Sequence, residues 1–169
     1  MSVHANDEQV VVGVTLTEET LALRPYLPQP GLRPTAGWAL VSAAIAAHGG
    51  GSELSLADPM CGHGVALIEA ALHWPSTVGR CIGADLDRAT LVAAAANIAA
   101  AGCTGVQLLQ KAVDDDDGWQ KGTGACDLVV CDPPFGQKHP ADIEALYPVR
   151  PRLNHRGTTL AISTAAPPS

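Results

Sequence analysis

Short apolar runs alternate with longer stretches of helical period through this chain. Short apolar runs predict buried strands, while apolar residues recurring every three or four positions predict amphipathic helices. Strands that alternate with helices indicate βαβ units, and therefore a parallel sheet with helices packed on it. The pattern predicts strands at 10–16, 53–58, 80–85, 106–111, 127–131 and 158–163, and helices at 35–47, 65–74 and 88–101.

The prolines before the first predicted helix mark a boundary in the chain. Residues 24–34 contain four prolines and predict an extended linker. Thr35 is expected to cap the helix that follows, and the three glycines at 49–51 are expected to end it. The chain therefore divides into a connector over 1–34, with one strand and the proline-rich linker, and a single α/β domain over 35–169.

The predicted order of the strands fixes where a ligand would bind. A doubly wound parallel sheet of this kind has the order 3-2-1-4-5, counted from strand 53–58. Strands 53–58 and 127–131 are then neighbours, and the ligand crevice lies outside their carboxyl ends. Residues that follow these two strands are therefore expected to meet.

A glycine loop follows strand 53–58. Gly62 and Gly64 allow a ligand to approach the backbone closely, and the helix that starts beyond them suits polar ligand groups. A dinucleotide-binding fingerprint requires a third glycine at position 67, where this chain has Leu67. The loop therefore favours a smaller adenosine-containing ligand over NAD.

Two acids follow the next strand. An acid at the end of the second strand of such a sheet typically accepts hydrogen bonds from ribose hydroxyls, and we assign this role to Asp85. Asp87 is expected to cap the helix that starts at residue 88. The alternative is that Asp85 has no ligand role.

A stiff elbow follows strand 127–131, and it consists of Asp132, Pro133, Pro134 and Phe135. Proline has no N–H and a fixed φ, so the two prolines end the strand and hold the residues before them extended. A carboxylate and a backbone carbonyl could accept both hydrogens of an exocyclic amine, while the ring stacks on the base. The alternative is an ordinary turn, since Asp, Pro and Gly are common turn residues.

Together these stretches resemble the class I S-adenosylmethionine-dependent methyltransferases. More narrowly, they resemble the RNA guanine-N2 methyltransferases that usually carry an RNA-binding THUMP domain. Residues 12–16 also resemble the connector between the THUMP and catalytic parts of such proteins. The resemblance is carried by residues 32–35, 58–64, 83–87, Asn97 and 132–136.

The resemblance implies a cofactor, a substrate and a set of site residues. S-adenosylmethionine would donate its methyl group to the N2 amine of a guanosine in structured RNA, such as tRNA or small nuclear RNA, without a metal. Relatives place an acid after the third strand, where this chain has Ala112; Asp114 is expected to replace it, and the alternative is that this contact is missing. The implied catalytic residues are Asp132, Pro133, Pro134 and Phe135, and the implied cofactor-binding residues are Asp58, Pro59, Met60, Cys61, Gly62, Gly64, Asp85 and Asp114.

The resemblance also sets expectations for the fold and its partners. It implies a Rossmann-like sheet that is shortened at its carboxyl end, because the chain stops before the last strands of the complete fold. The family's small zinc-binding activator protein is an expected partner. The net charge of −7 argues against this chain alone gripping a phosphate backbone, so RNA binding would need another domain or subunit.

Cysteine usage and hydropathy bear on the compartment. The chain has five cysteines without a Cys-x-x-Cys pair, which argues against a zinc site. An odd number of cysteines and a polar amino terminus favour a reducing compartment, the cytoplasm or the nucleus. The chain has no uninterrupted apolar stretch of about 20 residues, so no membrane span is predicted.

Two alternatives to guanine-N2 methylation stay open on the sequence. The same amine clamp would serve methylation of the N6 amine of adenine or of a glutamine amide. In the second alternative, the chain is a non-catalytic or fragmentary remnant that binds a cofactor or a partner without turnover.

Overall fold

A computed structural model describes residues 2–14, 16, 22–28, 31–112, 126–133 and 159–162. Residues 113–125 and 134–140, which include the predicted site residues Asp114, Pro134 and Phe135, lie outside this part. The described elements are β1 (Ser2–Ala5), β2 (Val10–Gly13), α1 (Pro34–His48), β3 (Leu54–Asp58), α2 (Val65–His73), β4 (Val78–Asp85), α3 (Arg88–Ala100), β5 (Val106–Gln110), β6 (Leu128–Cys131) and β7 (Thr159–Ile162).

Five of the described strands form one parallel sheet in the order β5-β4-β3-β6-β7. This order is the predicted 3-2-1-4-5, so the doubly wound sheet is confirmed. Leu56 pairs with Leu128 and Ala57 with Val129, so β3 and β6 end at the same edge. Ser55 and Asp127 fasten this pair of strands: the Asp127 carboxylate accepts from the Ser55 N–H at 2.8 Å and from its hydroxyl at 2.7 Å.

The three helices that the structure describes contact the sheet at different strands. Helix α1 packs against α2, β6 and β7, α2 packs against β4, and α3 packs against β5 and β4. Side chains of the helices and of one sheet face, including Val41, Leu56 and Leu67, form the larger buried cluster. Alternate strand residues such as Ala57, Ile82 and Val129 form a second buried cluster on the other face.

The helix ends follow from single residues. Helix α1 starts at Pro34, after Arg33, whose side chain makes no capping bond. The prediction that Thr35 caps this helix is wrong, because proline, with its fixed φ and missing N–H, suits the first helical position. Asp87 caps α3 as predicted and accepts from the N–H groups of Ala89 and Thr90. None of the described helices is long and apolar enough to cross a membrane.

The first two strands form a separate antiparallel hairpin, in which Val3 pairs with Val12. The predicted strand 10–16 is confirmed only as far as Gly13, and its partner Ser2–Ala5 was not predicted. The turn is closed by Asn6, whose side chain accepts from the N–H groups of Glu8 and Gln9. An asparagine between two short segments is a turn signal that could have revealed the hairpin.

Candidate active site

A crevice of about 170 Å³ lies at the carboxyl edge of β3 and β6. It brings together residues from the glycine loop, from the segment before α1, from the start of α3 and from the end of β6. This is the position predicted from the strand order. The described residues that line it are Gly31, Leu32, Asp58, Met60, Cys61, Gly62, His63, Val65, Ala66, Thr90 and Asp132.

The predicted site residues fall into three groups. Asp58, Met60, Cys61, Gly62 and Asp132 line the crevice together. Four others are described but are not part of the wall: Pro59, Gly64 and Pro133, which neighbour lining residues in the chain, and Asp85, whose carboxylate accepts from the Gly62 N–H. Asp114, Pro134 and Phe135 lie outside the described residues, so their roles stay predictions.

The loop from Cys61 to Gly64 folds over the end of β4. The Cys61 N–H donates to the Ala84 carbonyl at 2.8 Å, and the Gly62 N–H donates to the Asp85 carboxylate at 3.0 Å. The Gly64 N–H then donates to the Cys61 carbonyl at 2.8 Å and closes a turn. These bonds place the loop against the crevice.

The two loop glycines have different reasons to be glycine. Both have positive φ, +52° at Gly62 and +79° at Gly64. A Cβ on Gly62 would meet nothing within 4 Å, so this face of the loop is open to a ligand. A Cβ on Gly64 would lie 3.4 Å from the Ala94 Cβ, so the side of Gly64 where a side chain would stand packs against α3. Glycine therefore lets the loop turn against this helix, and a ligand contact at Gly64 stays a prediction.

A third glycine, Gly83, lets the loop lie close to the sheet, a role that was not predicted. A Cβ on Gly83 would lie 2.5 Å from the Leu67 side chain and 2.9 Å from the Cys61 sulfur. Gly83 therefore allows α2 and the loop to pack directly on β4. A glycine inside an apolar strand is a known sign of such close approach and could have indicated this role.

Asp85 connects the end of β4 to two backbone groups. One carboxylate oxygen accepts from the Gly62 N–H at 3.0 Å, and the other accepts from the Asp87 N–H at 2.9 Å. Each carboxylate oxygen can accept more than one hydrogen bond, so a ribose hydroxyl could still bind. The ribose contact stays a prediction, while the structural role was not foreseen.

Asp58 is the most perturbed carboxyl group of the crevice. Only 4% of its surface is exposed, and one of its oxygens accepts from the Met60 N–H at 3.2 Å. Burial is the main cause that raises its pKa from 3.8 to about 7; the hydrogen bond from Met60 opposes the shift, and the charges of Asp132 and Asp85 contribute to it. A positively charged ligand beside Asp58 would favour the ionised carboxylate and would be stabilised by its charge.

The cysteines beside these carboxyl groups are not nucleophiles at neutral pH. Burial is the main cause that raises the pKa of the Cys61 and Cys131 thiols, and nearby aspartates add to the shift. A protonated thiol is a poor nucleophile, because the thiolate is the reactive form. Cys61 therefore contributes shape and packing to the crevice wall.

A buried carboxylate anchors the segment that leads to the crevice. Glu69 of α2 is fully buried, and it accepts from the Arg24 side chain at 3.2 and 3.4 Å and from the Tyr26 hydroxyl. His73 lies 3.2 Å from the same carboxylate. Residues 22–28 are therefore held on α2 a few residues before Gly31, although the sequence predicted only a linker. A glutamate among the apolar residues of α2 was the available signal.

Residues 22–159 match the family model of the RMKL-like methyltransferase domain. This match covers most of the chain and all of the crevice described above. The chain therefore belongs to this family of methyltransferase domains.

Curated relatives give a more particular likeness. The chain is 39% identical over 136 residues to the U6 snRNA (guanine-N(2))-methyltransferase THUMPD2 of Mus musculus, and 33% identical over 163 residues to that of Homo sapiens. These alignments cover 80% and 95% of this chain but only 24% and 31% of the relatives. The chain thus spans about a quarter to a third of the length of these relatives.

Solved structures share the fold. TrmN from Thermus thermophilus superposes with a TM-score of 0.66 at 27% identity, over 89% of this chain and 43% of that one. The rRNA methyltransferase aviRa from Streptomyces viridochromogenes gives a TM-score of 0.65 at 18% identity, over 82% and 78% of the two chains. The second likeness shows the Rossmann-like fold of these methyltransferases alone.

Proposed function

We propose that the chain is an S-adenosylmethionine-dependent methyltransferase domain that modifies the N2 amine of a guanosine in RNA. The observation that carries this proposal is the meeting of Asp132 with the glycine loop in one crevice. A methyl donor and an acceptor amine must lie side by side for transfer, and this crevice is where both would be held.

The chemistry of the crevice fits the cofactor. Asp58, Met60, Cys61 and Gly62 would form the wall along it, and the open face of Gly62 leaves room for close approach. The buried carboxyl group of Asp58, when ionised, would favour the positive charges of the cofactor's amino acid end and sulfonium. Bound S-adenosylmethionine supplies an activated methyl group. Asp85 would accept from a ribose hydroxyl, and Asp114 stays a predicted contact.

The end of β6 would hold the acceptor amine. The lone pair of an exocyclic amine is delocalised into the ring, which makes the nitrogen a poor nucleophile. The Asp132 carboxylate and the Pro133 carbonyl would accept the two amine hydrogens, draw the nitrogen towards tetrahedral geometry and free its lone pair. Asp132 would also stabilise the positive charge that develops on the amine, and the held geometry contributes through proximity. We also propose that Pro134 keeps this segment stiff and that the base stacks on the ring of Phe135.

The RNA substrate is proposed from the relatives, which are named as U6 snRNA guanine-N2 methyltransferases. The chain itself carries a net charge of −7, so phosphate binding would come from another domain or from a partner. The small zinc-binding activator expected from the resemblance stays a prediction, as does a location in the cytoplasm or nucleus.

A second candidate function is cofactor binding without turnover by this chain alone. The negative net charge favours it, because an RNA substrate would need positive charge to bind its phosphates. In that case the crevice would bind cofactor, but no RNA would be methylated without further parts.

Transfer of radiolabelled methyl from S-adenosylmethionine to small nuclear RNA and tRNA tests the proposal, with mass spectrometry of the nucleosides to locate the methyl group. We expect N2-methylguanosine with the wild-type chain or with the chain joined to an RNA-binding domain. Asp132→Ala should abolish transfer and keep the affinity for S-adenosylhomocysteine. Full turnover by Asp132→Ala would refute the amine clamp, and methylated adenosine would refute the choice of base.

A further inference from the structure

A buried asparagine of α3 reaches the glycine loop. Asn97 is fully buried on the inward side of the helix, together with Leu91 and Ala94. Its amide nitrogen donates to the His63 carbonyl at 3.1 Å. The direction of the amide is fixed by this contact, because a carbonyl can only accept.

This bond controls one particular peptide group of the loop. The His63 carbonyl accepts from Asn97, while the N–H of the same peptide, on Gly64, donates to the Cys61 carbonyl at 2.8 Å. Both ends of the peptide plane are therefore held. Gly64 has φ of +79°, and a glycine in this region would otherwise permit the plane to rotate.

The amide oxygen of Asn97, in contrast to its nitrogen, holds no part of the loop. This oxygen is buried and has no hydrogen-bond partner among the described residues. An unpaired buried acceptor is unfavourable, so an apolar side chain of the same shape would suit this position better for packing alone. The reason for asparagine at this position is therefore the hydrogen bond from its amide nitrogen to the His63 carbonyl.

We propose that Asn97 is a positioning residue for cofactor binding, because its amide fixes the His63–Gly64 peptide and thereby the shape of the loop wall of the crevice. The inference rests on the proposed function, since it assumes that this loop holds the cofactor. Asn97 itself does not line the crevice and acts through His63, which does.

The test compares Asn97→Leu and Asn97→Ser with Val78→Ala in the full chain. Leucine keeps a similar volume without the amide, and serine is too short to reach the His63 carbonyl. Val78→Ala is the matched control, because Val78 is 5% exposed at the amino end of β4, opposite the crevice. Loss of a buried side chain there lowers stability without touching the loop.

Three quantities are measured: the Kd of S-adenosylhomocysteine by calorimetry, the thermal unfolding midpoint without ligand, and hydrogen exchange of the Gly64 amide by NMR. We expect both Asn97 variants to bind about 2- to 10-fold more weakly, the range expected for one hydrogen bond, and the Gly64 amide to exchange faster. Val78→Ala should lower the midpoint and change neither the Kd nor the exchange at Gly64.

The outcomes separate the inference from the proposed function. If wild-type protein binds and either folded Asn97 variant keeps its Kd and its Gly64 exchange rate, the positioning role is overturned and the proposed function stands. If wild-type protein does not bind S-adenosylhomocysteine, both are overturned. Should Asn97→Leu fail to fold, the smaller Asn97→Ser variant decides between these outcomes.

Discussion

Asp58 makes the stability of the protein depend on pH, and Asp58→Asn tests this dependence. Burial, with the charges of Asp132 and Asp85, raises the pKa of Asp58 from 3.8 to about 7 in the folded protein. In the unfolded chain the group ionises near its ordinary value. Between these two values, the folded state holds a proton that the unfolded state has lost, so stability falls as the pH rises.

The size of the effect follows from the pKa difference. A pKa raised by about three units corresponds to about 4 kcal/mol, at about 1.36 kcal/mol per unit. The stabilisation is fully present below the unfolded pKa and is lost as the pH rises through about 7. Asparagine stays neutral and removes this dependence, but its buried NH₂ group costs about 1–3 kcal/mol if it finds no partner. We therefore expect Asp58→Asn to be about 1–3 kcal/mol more stable than wild type at pH 8, and equal or less stable at pH 4.5.

Urea denaturation of both proteins at pH 4.5, 6 and 8 measures the difference in free energy of unfolding. Asp87→Asn is a control of opposite sign, because hydrogen bonds from Thr90 and Ala89 lower the pKa of this exposed cap. Stability from Asp87 is present above its unfolded pKa and is lost as the pH falls through its folded pKa. A difference between Asp58→Asn and wild type that stays constant from pH 4.5 to 8 would refute the reasoning.

Two further variants test how the crevice is supported. Gly83→Ala should destabilise the protein by about 1–3 kcal/mol through overpacking against Leu67 and Cys61; a thermal midpoint equal to that of wild type would contradict the close packing. Glu69→Gln should weaken the contacts with Arg24 and Tyr26 and lower the free energy of unfolding by about 1–3 kcal/mol. Backbone amides in residues 22–28 should then exchange hydrogen faster. Unchanged exchange there would show that Glu69 does not anchor the segment.

The sequence could predict the sheet and the place of the crevice, because both follow from strong local patterns. Apolar runs predicted the strands, and the carboxyl ends of neighbouring parallel strands must lie at the same edge of the sheet. Asp58 ends such a strand, Asp132 directly follows one, and Gly62 lies in the loop after β3, so their meeting could be expected. Asp87 was assigned as a cap because its side chain acts on its own helix.

The contacts that depend on distant residues could not be predicted in the same way. The bond between Asn97 and His63, and the close packing of Gly83, depend on how helices lie on the sheet. The ion pair of Arg24 and Glu69 joins residues 45 positions apart. Thr35 was assigned as a cap from its type, and the stronger preference of Pro34 for the first helical position decided otherwise.

The pairing of β3 with β6 has a consequence for how the protein folds. The Ser55–Asp127 contact joins positions 72 residues apart, and Asp132 lies similarly far along the chain from the glycine loop that it meets in the crevice. Closing a loop of this length must precede the pairing, and such non-local contacts slow folding. The glycine loop can form early with β4 and α2, whereas the Asp132 wall can arrive only when β6 takes its place in the sheet. Folding of the central strand pair and assembly of the site are therefore one event, and a chain that fails to insert β6 lacks the Asp132 side of the crevice.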